Sequence, residues 1–169
     1  MTFRAVDTEA GVPAGTASNY FTNRDDLLPQ AGARVYERLQ PDEATIARQR
    51  AGTRDRETYA VLMRELVGRI SDFRTGYLAL LELRLEATRR PRLRAVLTEQ
   101  VRADLEANVA YHEESALPGD ATAVQLLYLT LNWLIVEQLT LPDVLSEAER
   151  ERLVTAAVER LTASLPHSG

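Results

Sequence analysis

Apolar residues recur along most of the chain at the three- and four-residue spacing of one face of an α-helix. The pattern is clearest over residues 56–73, and a leucine-rich stretch follows over 77–89. Pro91 marks a boundary, since proline is favoured at the first position of a helix and disfavoured inside one. Beyond it, apolar residues return every four positions, at Leu93, Leu97, Val101, Leu105 and Val109. Because strands of alternating polarity are hard to find, the pattern predicts an all-α protein.

Two further helices are predicted towards the carboxyl end. Asp120 is a candidate N-cap for an apolar helix, and Ser146 with Glu149 has the spacing of a capping box that opens a last helix. The apolar stretch 121–141 approaches the length of a membrane span, but it contains Gln125, Asn132, Glu137 and Gln138, and no arginine flanks it closely. We therefore expect a buried or interface helix. The first residues contain no signal peptide, so we expect a cytoplasmic protein.

The composition excludes several kinds of chemistry. The 169 residues contain no cysteine, which removes disulfide frameworks, thiolate metal sites and thiol nucleophiles. All 20 basic residues are arginine, so a Schiff-base lysine and the lysine of a phosphate-binding loop are absent too. With 25 acidic residues the net charge is −5, which argues against nucleic-acid binding by bulk electrostatic attraction. Any such binding would have to come from a small local element.

No group of residues has the spacing of a catalytic or metal site, so we predict neither an enzyme nor a bound metal or cofactor. We interpret His112 as an ordinary histidine on a helix surface, with metal ligand or general base as the alternative, because no second histidine lies one turn away. Four arginines cluster around Pro91. We expect them to interact with a helix dipole and solvent; binding of phosphate or an acidic ligand is the alternative.

The first 21 residues have the features of two short helices joined by a tight turn. Thr2 can cap a helix that ends at Ala10, and Gly11 can supply the positive φ of a sharp turn. Val12 can fill the space between the helices, and Pro13 can begin the second one. In a helix-turn-helix, the second helix enters the major groove with its N-terminal residues leading. On spacing alone, an ordinary helical hairpin remains the alternative.

Three stretches of this segment closely resemble the tetracycline-repressor (TetR) family. They are residues 10–16, with the sequence Ala-Gly-Val-Pro-Ala-Gly-Thr, Asn19–Phe21, and Asn23–Leu28, in which a basic residue precedes an acidic-Leu-Leu helix start. Residues 81–87, Leu-Glu-Leu-Arg-Leu-Glu-Ala, are similar to the family's middle helices. The resemblance implies an all-α, homodimeric transcriptional regulator that responds to a small apolar or amphipathic effector and is most often a repressor.

The resemblance also implies which residues lie at double-stranded operator DNA. The DNA-binding candidates, from the helix-turn-helix order and the resemblance together, are Thr2, Pro13, Ala14, Gly15, Thr16, Ser18, Asn19, Tyr20 and Arg24. Arg24 would contact a phosphate. The small core of the motif would be Val6, Ala10, Val12 and Phe21.

The chain departs from the family pattern in three respects. The family carries a further helix, often basic, before the position of Thr2, so we expect an incomplete head, through a late start codon, an engineered truncation or genuine loss. Asp7 occupies a position where the family usually has a small apolar residue, and Ala17 and Ser18 replace the commoner Leu or Ile and Tyr. A dimeric helical module that binds a small molecule and no longer binds DNA is therefore the alternative hypothesis.

We divide the chain into a DNA-binding head with its connecting helix, residues 1–40, and an effector-binding and dimerisation domain, residues 41–169. In the resembled family the ligand binds among the middle helices. The candidates here combine apolar surface with occasional polar groups, and plain core packing is the alternative. They are Tyr59, Met63, Phe73, Tyr77, Leu81 and Leu105.

The helix over 120–141 is too apolar to have only one buried face, so we expect it to form a dimer surface together with the last helix. The alternative is the central core helix of a monomer. The predicted interface residues are Tyr128, Leu129, Trp133, Val136, Val154, Ala157, Val158 and Leu161.

Overall fold

The structure, a computed structural model, describes residues 2–163, and within that range it contains nine α-helices and no strand. The predicted all-α class is confirmed. The helices are α1 (Phe3–Ala10), α2 (Thr16–Tyr20), α3 (Arg24–Leu39), α4 (Glu43–Ala51), α5 (Arg56–Asp72), α6 (Arg74–Ala87), α7 (Pro91–Ser115), α8 (Ala121–Thr140) and α9 (Glu147–Leu161).

Side-chain caps begin three of these helices at the predicted places. The Thr2 hydroxyl accepts a backbone N–H of the first turn of α1 at 3.2 Å, and the Asp120 carboxylate does the same for α8 at 2.8 Å. Ser146 and Glu149 form the reciprocal capping box of α9. Each cap satisfies a backbone donor that has no partner within its own helix and contributes about 1 kcal/mol.

The second helix begins three residues later than predicted. Pro13 was expected to open it, but α2 starts at Thr16, and the Thr16 N–H donates to the Pro13 carbonyl at 3.1 Å. Gly15 has a φ of +94°, which is incompatible with a right-handed helix. Pro13 and Ala14 are therefore part of the turn and not of the helix.

The chain forms two compact units. The first comprises the residues up to Arg38 together with Ala79–Gln100, and the second comprises Leu39–Leu78 and the described residues from Val101 onward. Residues 79–100, which we predicted to be part of the second domain, lie in the same unit as α1 and α2. The buried apolar side chains of the first unit include Leu27, Tyr36, Leu83, Leu93 and Leu97.

The second unit has its core where α5, α8 and α9 pack together. The core cluster consists of Tyr59, Ala60, Leu62, Leu117, Leu127 and Val158. Removing such side chains from water is the main force that holds helices of this length in place. Among the described helices, none combines the length and the apolar character needed to cross a bilayer.

Candidate nucleic-acid interface

The turn between α1 and α2 depends on two glycines. Gly11 ends α1 with a φ of +65°, as predicted, and its N–H donates to the Thr8 carbonyl at 3.2 Å. The next N–H, that of Val12, donates to the Asp7 carbonyl at 3.0 Å. Gly15, with its own positive φ, immediately precedes α2. Both glycines lie in the left-handed region that other residues disfavour, so the turn requires glycine at these two positions.

Asp7 lies between the two helices. Its side chain is only 2% exposed, although it carries a carboxyl group. One carboxyl oxygen accepts the Gly15 N–H at 2.8 Å, and the other accepts the Ala17 N–H at 2.7 Å. Backbone donors at the start of α2 therefore bond to a side chain of α1, which satisfies the polar group that the fold buries.

The predicted apolar core of this motif is wrong in two of its four members. Ala10 and Val12 are exposed, while Val6 and Phe21 are half-buried. Within residues 2–21, the buried side chains are those of Asp7 and Ala17. The departure of Asp7 from the family pattern was visible in the sequence. Its hydrogen-bond partners were not visible in the sequence, because Gly15 and Ala17 lie eight and ten residues further along the chain.

The outward side of α2 is polar and accessible. Ser18, Asn19 and Tyr20 are exposed, and Tyr20 is the most open of them, at 77%. The other DNA-binding candidates include the exposed Thr2, Pro13, Ala14 and Arg24 and the half-buried Gly15 and Thr16. Residues 13–20 thus form one continuous turn-and-helix segment with hydrogen-bonding side chains along its surface.

Two hydroxyl groups of this segment already donate within the protein. The Thr16 hydroxyl donates to the Pro13 carbonyl at 2.6 Å, and the Ser18 hydroxyl donates to the Gly15 carbonyl at 2.8 Å. Towards another molecule they can therefore act as acceptors, which suits the exocyclic amines of adenine and cytosine. The Asn19 amide can both donate and accept.

The acidic start of α3 pairs with the arginine cluster around Pro91. Asp25 forms an ion pair with Arg90, and Asp26 lies 3.7 Å from Arg92. All four residues belong to the first unit. The arginines were predicted to interact with a helix dipole and solvent. The pattern around Pro91 could not indicate the partners in α3, because Asp25 lies 65 residues from Arg90 in the chain.

Glu86 connects the same cluster to α6. Arg89 and Arg90 both donate to its carboxylate, and these bonds lower the pKa of Glu86 from 4.5 to about 2. Arg89, Arg90 and Arg92 thus form ion pairs with acids of their own unit, which makes these three a structural feature of the first unit.

The two units differ in charge. The first contains nine arginines and eight acidic residues, a net of +1, so the second carries −6. The negative charge that argued against DNA binding is therefore concentrated in the second unit. Residues 79–100 account for the change, because they add five arginines and three glutamates to the head.

The six ligand-binding candidates are divided between the two units. Leu81 belongs to the first unit and the other five to the second. Tyr59 and Met63 pack in or against the core cluster, and burial raises the pKa of Tyr59 to about 12. The Tyr77 hydroxyl donates to the Asn132 side-chain oxygen at 2.9 Å. Phe73 and Leu105 are half-buried.

The second unit also has an open cleft of about 480 Å³ between α5 and α9. None of the ligand-binding candidates lines it, and its charge is mixed, since its lining includes Arg64, Glu151, Arg152 and Glu159. Arg64 donates to the Thr155 hydroxyl there at 2.6 Å.

His112 is buried, so its interpretation as a surface histidine is wrong. Its ring lies 5.5 Å from that of Tyr59, and its Nε2 is 3.3 Å from the Gly119 carbonyl. Its contact with Tyr59 of α5 shields the imidazole from water. The pattern of residues within α7 alone cannot predict a contact with another helix. Its Nδ1 and the neighbouring Tyr111 hydroxyl are buried without a hydrogen-bond partner among the described residues.

α8 buries one side in the core and exposes apolar residues on the other. Leu129 and Trp133 are 64% and 68% exposed, and Tyr128 and Val136 are half-buried. Leu153 of α9 is also exposed, a residue that the sequence analysis left out of its interface set. Exposed apolar surface of this kind marks an interaction site more often than a free surface.

Two predicted interface residues require correction. Val154 and Val158 are 2% and 0% exposed, so they offer no surface to a second chain and belong to the core of their own. Ala157 and Leu161 are half-buried and pack against the same core cluster. The inward side of α9 therefore packs against the core of its own chain.

Comparison with known proteins gives one family match. A family model described as "Tetracyclin repressor-like, C-terminal domain" matches residues 54–164, about two thirds of the chain. The comparison with curated proteins returned no match.

Proposed function

Because this chain belongs to the tetracycline-repressor-like family, we propose that it is a homodimeric, DNA-binding transcriptional regulator that a small-molecule effector releases from its operator. The observation that carries the proposal is the polar outer side of α2 on a helix-turn-helix whose inner side is fixed by Asp7 and Ala17. A rigid short helix with exposed hydrogen-bonding side chains is what reading of the major groove requires.

Electrophoretic shift with the DNA immediately upstream of the chain's own coding sequence tests DNA binding. We expect specific binding at low salt that weakens steeply as salt rises. Asn19→Ala and Tyr20→Ala each weaken it by roughly tenfold, since each removes a contact to a base edge or phosphate. Thr98→Ala, at an exposed position of α7, is the matched control and leaves binding unchanged.

A chain that dimerises and shows no specific binding to this DNA at low salt would contradict the DNA-binding role. It would favour the alternative of a dimeric small-molecule-binding module.

Homodimerisation is supported by the exposed apolar residues of α8. Placing a charge at the centre of a desolvated contact strongly disfavours association. Trp133→Asp is therefore expected to give a monomer in sedimentation velocity. Leu85→Asp, at a leucine that is 70% exposed on α6, is the control and remains a dimer. A dimeric Trp133→Asp variant would remove α8 from the interface.

The effector would bind in the second unit and favour a conformation of the dimer that does not fit the operator. His112 Nδ1 and the Tyr111 hydroxyl are buried and have no hydrogen-bond partner among residues 2–163, which fits an effector with an apolar body and a polar group. Binding linkage supplies the test, because effector and DNA must weaken each other's affinity by the same factor. A compound that stabilises the protein without changing its affinity for DNA is not the effector.

A further inference from the structure

The short helix α2, which we propose binds DNA, has no side-chain cap at its N-terminus. α2 has five residues, and Gly15 at its N-cap has no side chain to accept from the first turn. The first backbone N–H groups of any helix have no partner within it. A helix this short is unstable in isolation. Its position must therefore come from contacts with the rest of the head.

Asp7 of α1 provides those contacts. Its two carboxyl oxygens accept two separate backbone donors, Gly15 N–H and Ala17 N–H, at 2.8 and 2.7 Å. The carboxyl group is almost completely buried, so water does not compete for the same donors. Because one rigid group in α1 bonds to two points at the start of α2, it fixes the angle between the helices as well as their separation.

We infer that Asp7 is a positioning residue, one that holds α2 in its DNA-binding orientation without touching DNA. The inference rests on the proposed DNA-binding function. When the two bonds are lost, the head populates orientations that do not fit the groove. The apparent affinity for DNA is then the intrinsic affinity multiplied by the fraction of molecules whose α2 has the binding orientation. If that fraction is a tenth, binding is about tenfold weaker.

If Asp7 acted only through its charge, its substitution would change DNA affinity in the opposite direction from the change expected of a positioning residue. A carboxylate near DNA repels phosphate, so its removal alone would strengthen binding or leave it unchanged. Loss of a positioning contact would weaken binding. Glu9 is the matched control for charge, because it lies on the same helix, is exposed, and carries the same acidic group.

The experiment compares three variants in the shift assay with upstream DNA and with an unrelated duplex of equal length. Glu9→Ala removes a charge only and is expected to bind as tightly as wild type or slightly more so. Asp7→Asn removes the charge and keeps one acceptor, so it binds with intermediate affinity. Asp7→Ala removes both acceptors and loses about tenfold or more in specific affinity, since buried donors then lack partners. The preference over the unrelated duplex falls in the same order.

Amide hydrogen exchange separates this inference from the proposed function, because it needs no DNA. In Asp7→Ala, the amides of Gly15 and Ala17 exchange faster, while those of the core helix α8 keep their protection. Unchanged exchange at Gly15 and Ala17 would overturn the inference whatever the DNA result. If exchange accelerates but wild type binds no DNA specifically, the contact stands and the proposed function fails. An Asp7→Ala variant that binds as Glu9→Ala does would overturn the positioning role.

Discussion

The pair of short helices α1 and α2 and the core of the second unit are held together by different forces. Within residues 2–21, the buried side chains are a carboxyl group and one alanine, and the contact between α1 and α2 is made by hydrogen bonds. In the second unit, α5, α8 and α9 meet through aliphatic and aromatic side chains such as Leu127 and Val158. Both regions follow the same helical pattern in the sequence. The difference shows that the pattern predicts helices without indicating what joins them.

Apolar contacts and polar contacts are weakened by different kinds of substitution. Apolar packing responds to lost volume, because a deleted side chain leaves a cavity that the surroundings fill only partly. Hydrogen bonds and ion pairs respond to geometry, charge and pH.

Leu127→Ala tests the apolar contact and is expected to cost about 2–5 kcal/mol of unfolding free energy, because it removes a buried side chain of the core cluster. Leu85→Ala makes the same chemical change at an exposed leucine of α6 and should stay within about 0.5 kcal/mol of wild type. Urea unfolding followed by circular dichroism measures both. Equal losses would show that the three-helix contact is not the source of stability.

Gly11→Ala and Gly68→Ala compare backbone geometry in the two units. A Cβ atom added at either glycine would have no neighbouring atom within 4 Å, so steric crowding does not contribute to the expected change in stability. Gly11 has a φ of +65°, and alanine there should destabilise by about 1–2 kcal/mol. Gly68 lies inside α5, where alanine should stabilise by about 0.5–1 kcal/mol. Two shifts of the same sign in urea unfolding would contradict this account of the turn.

Glu86→Gln tests the ion pairs of the first unit, and its effect depends on pH. The pKa of Glu86 is lowered from 4.5 to about 2 by Arg89 and Arg90, so the folded state favours the ionised carboxylate. The stability that it adds is present above about pH 4.5 and is lost as the pH falls from there to about 2. Because the Arg89 side chain is 74% exposed and Glu86 and Arg90 remain partly accessible to water, we expect a small effect.

Wild type should therefore melt slightly above Glu86→Gln at pH 7, with the two midpoints converging in acid. Glu82→Gln, one turn earlier on the exposed side of α6, is the control. A gap that persists unchanged at pH 2 would rule out the ion pairs as its cause.

The sequence predicted what depends on neighbouring residues. The caps at Thr2, Asp120 and Ser146 and the left-handed Gly11 were all predictable, because each involves partners within a few positions. The all-α class and the boundary at Pro91 followed from periodicity and from the chemistry of proline.

The errors concern contacts between distant segments. Val154 and Val158 have the spacing of an interface stripe, but periodicity does not distinguish a helix face that meets its own chain from one that meets a partner. His112 looked like a surface residue until its packing against Tyr59 was known. Arg90 and Arg92 have acidic partners in α3 only because the fold brings these distant segments together in the first unit.

The bonds from Asp7 to α2 limit how this head can be engineered. The turn and α2, residues 13–20, do not form a portable unit, because two of their backbone donors depend on an acceptor from the preceding helix. Transplanted alone into a head with an apolar residue at that position, the segment would bury N–H groups without partners. Under the proposed function, an exchange of operator preference between such proteins would have to move residues 2–21 together.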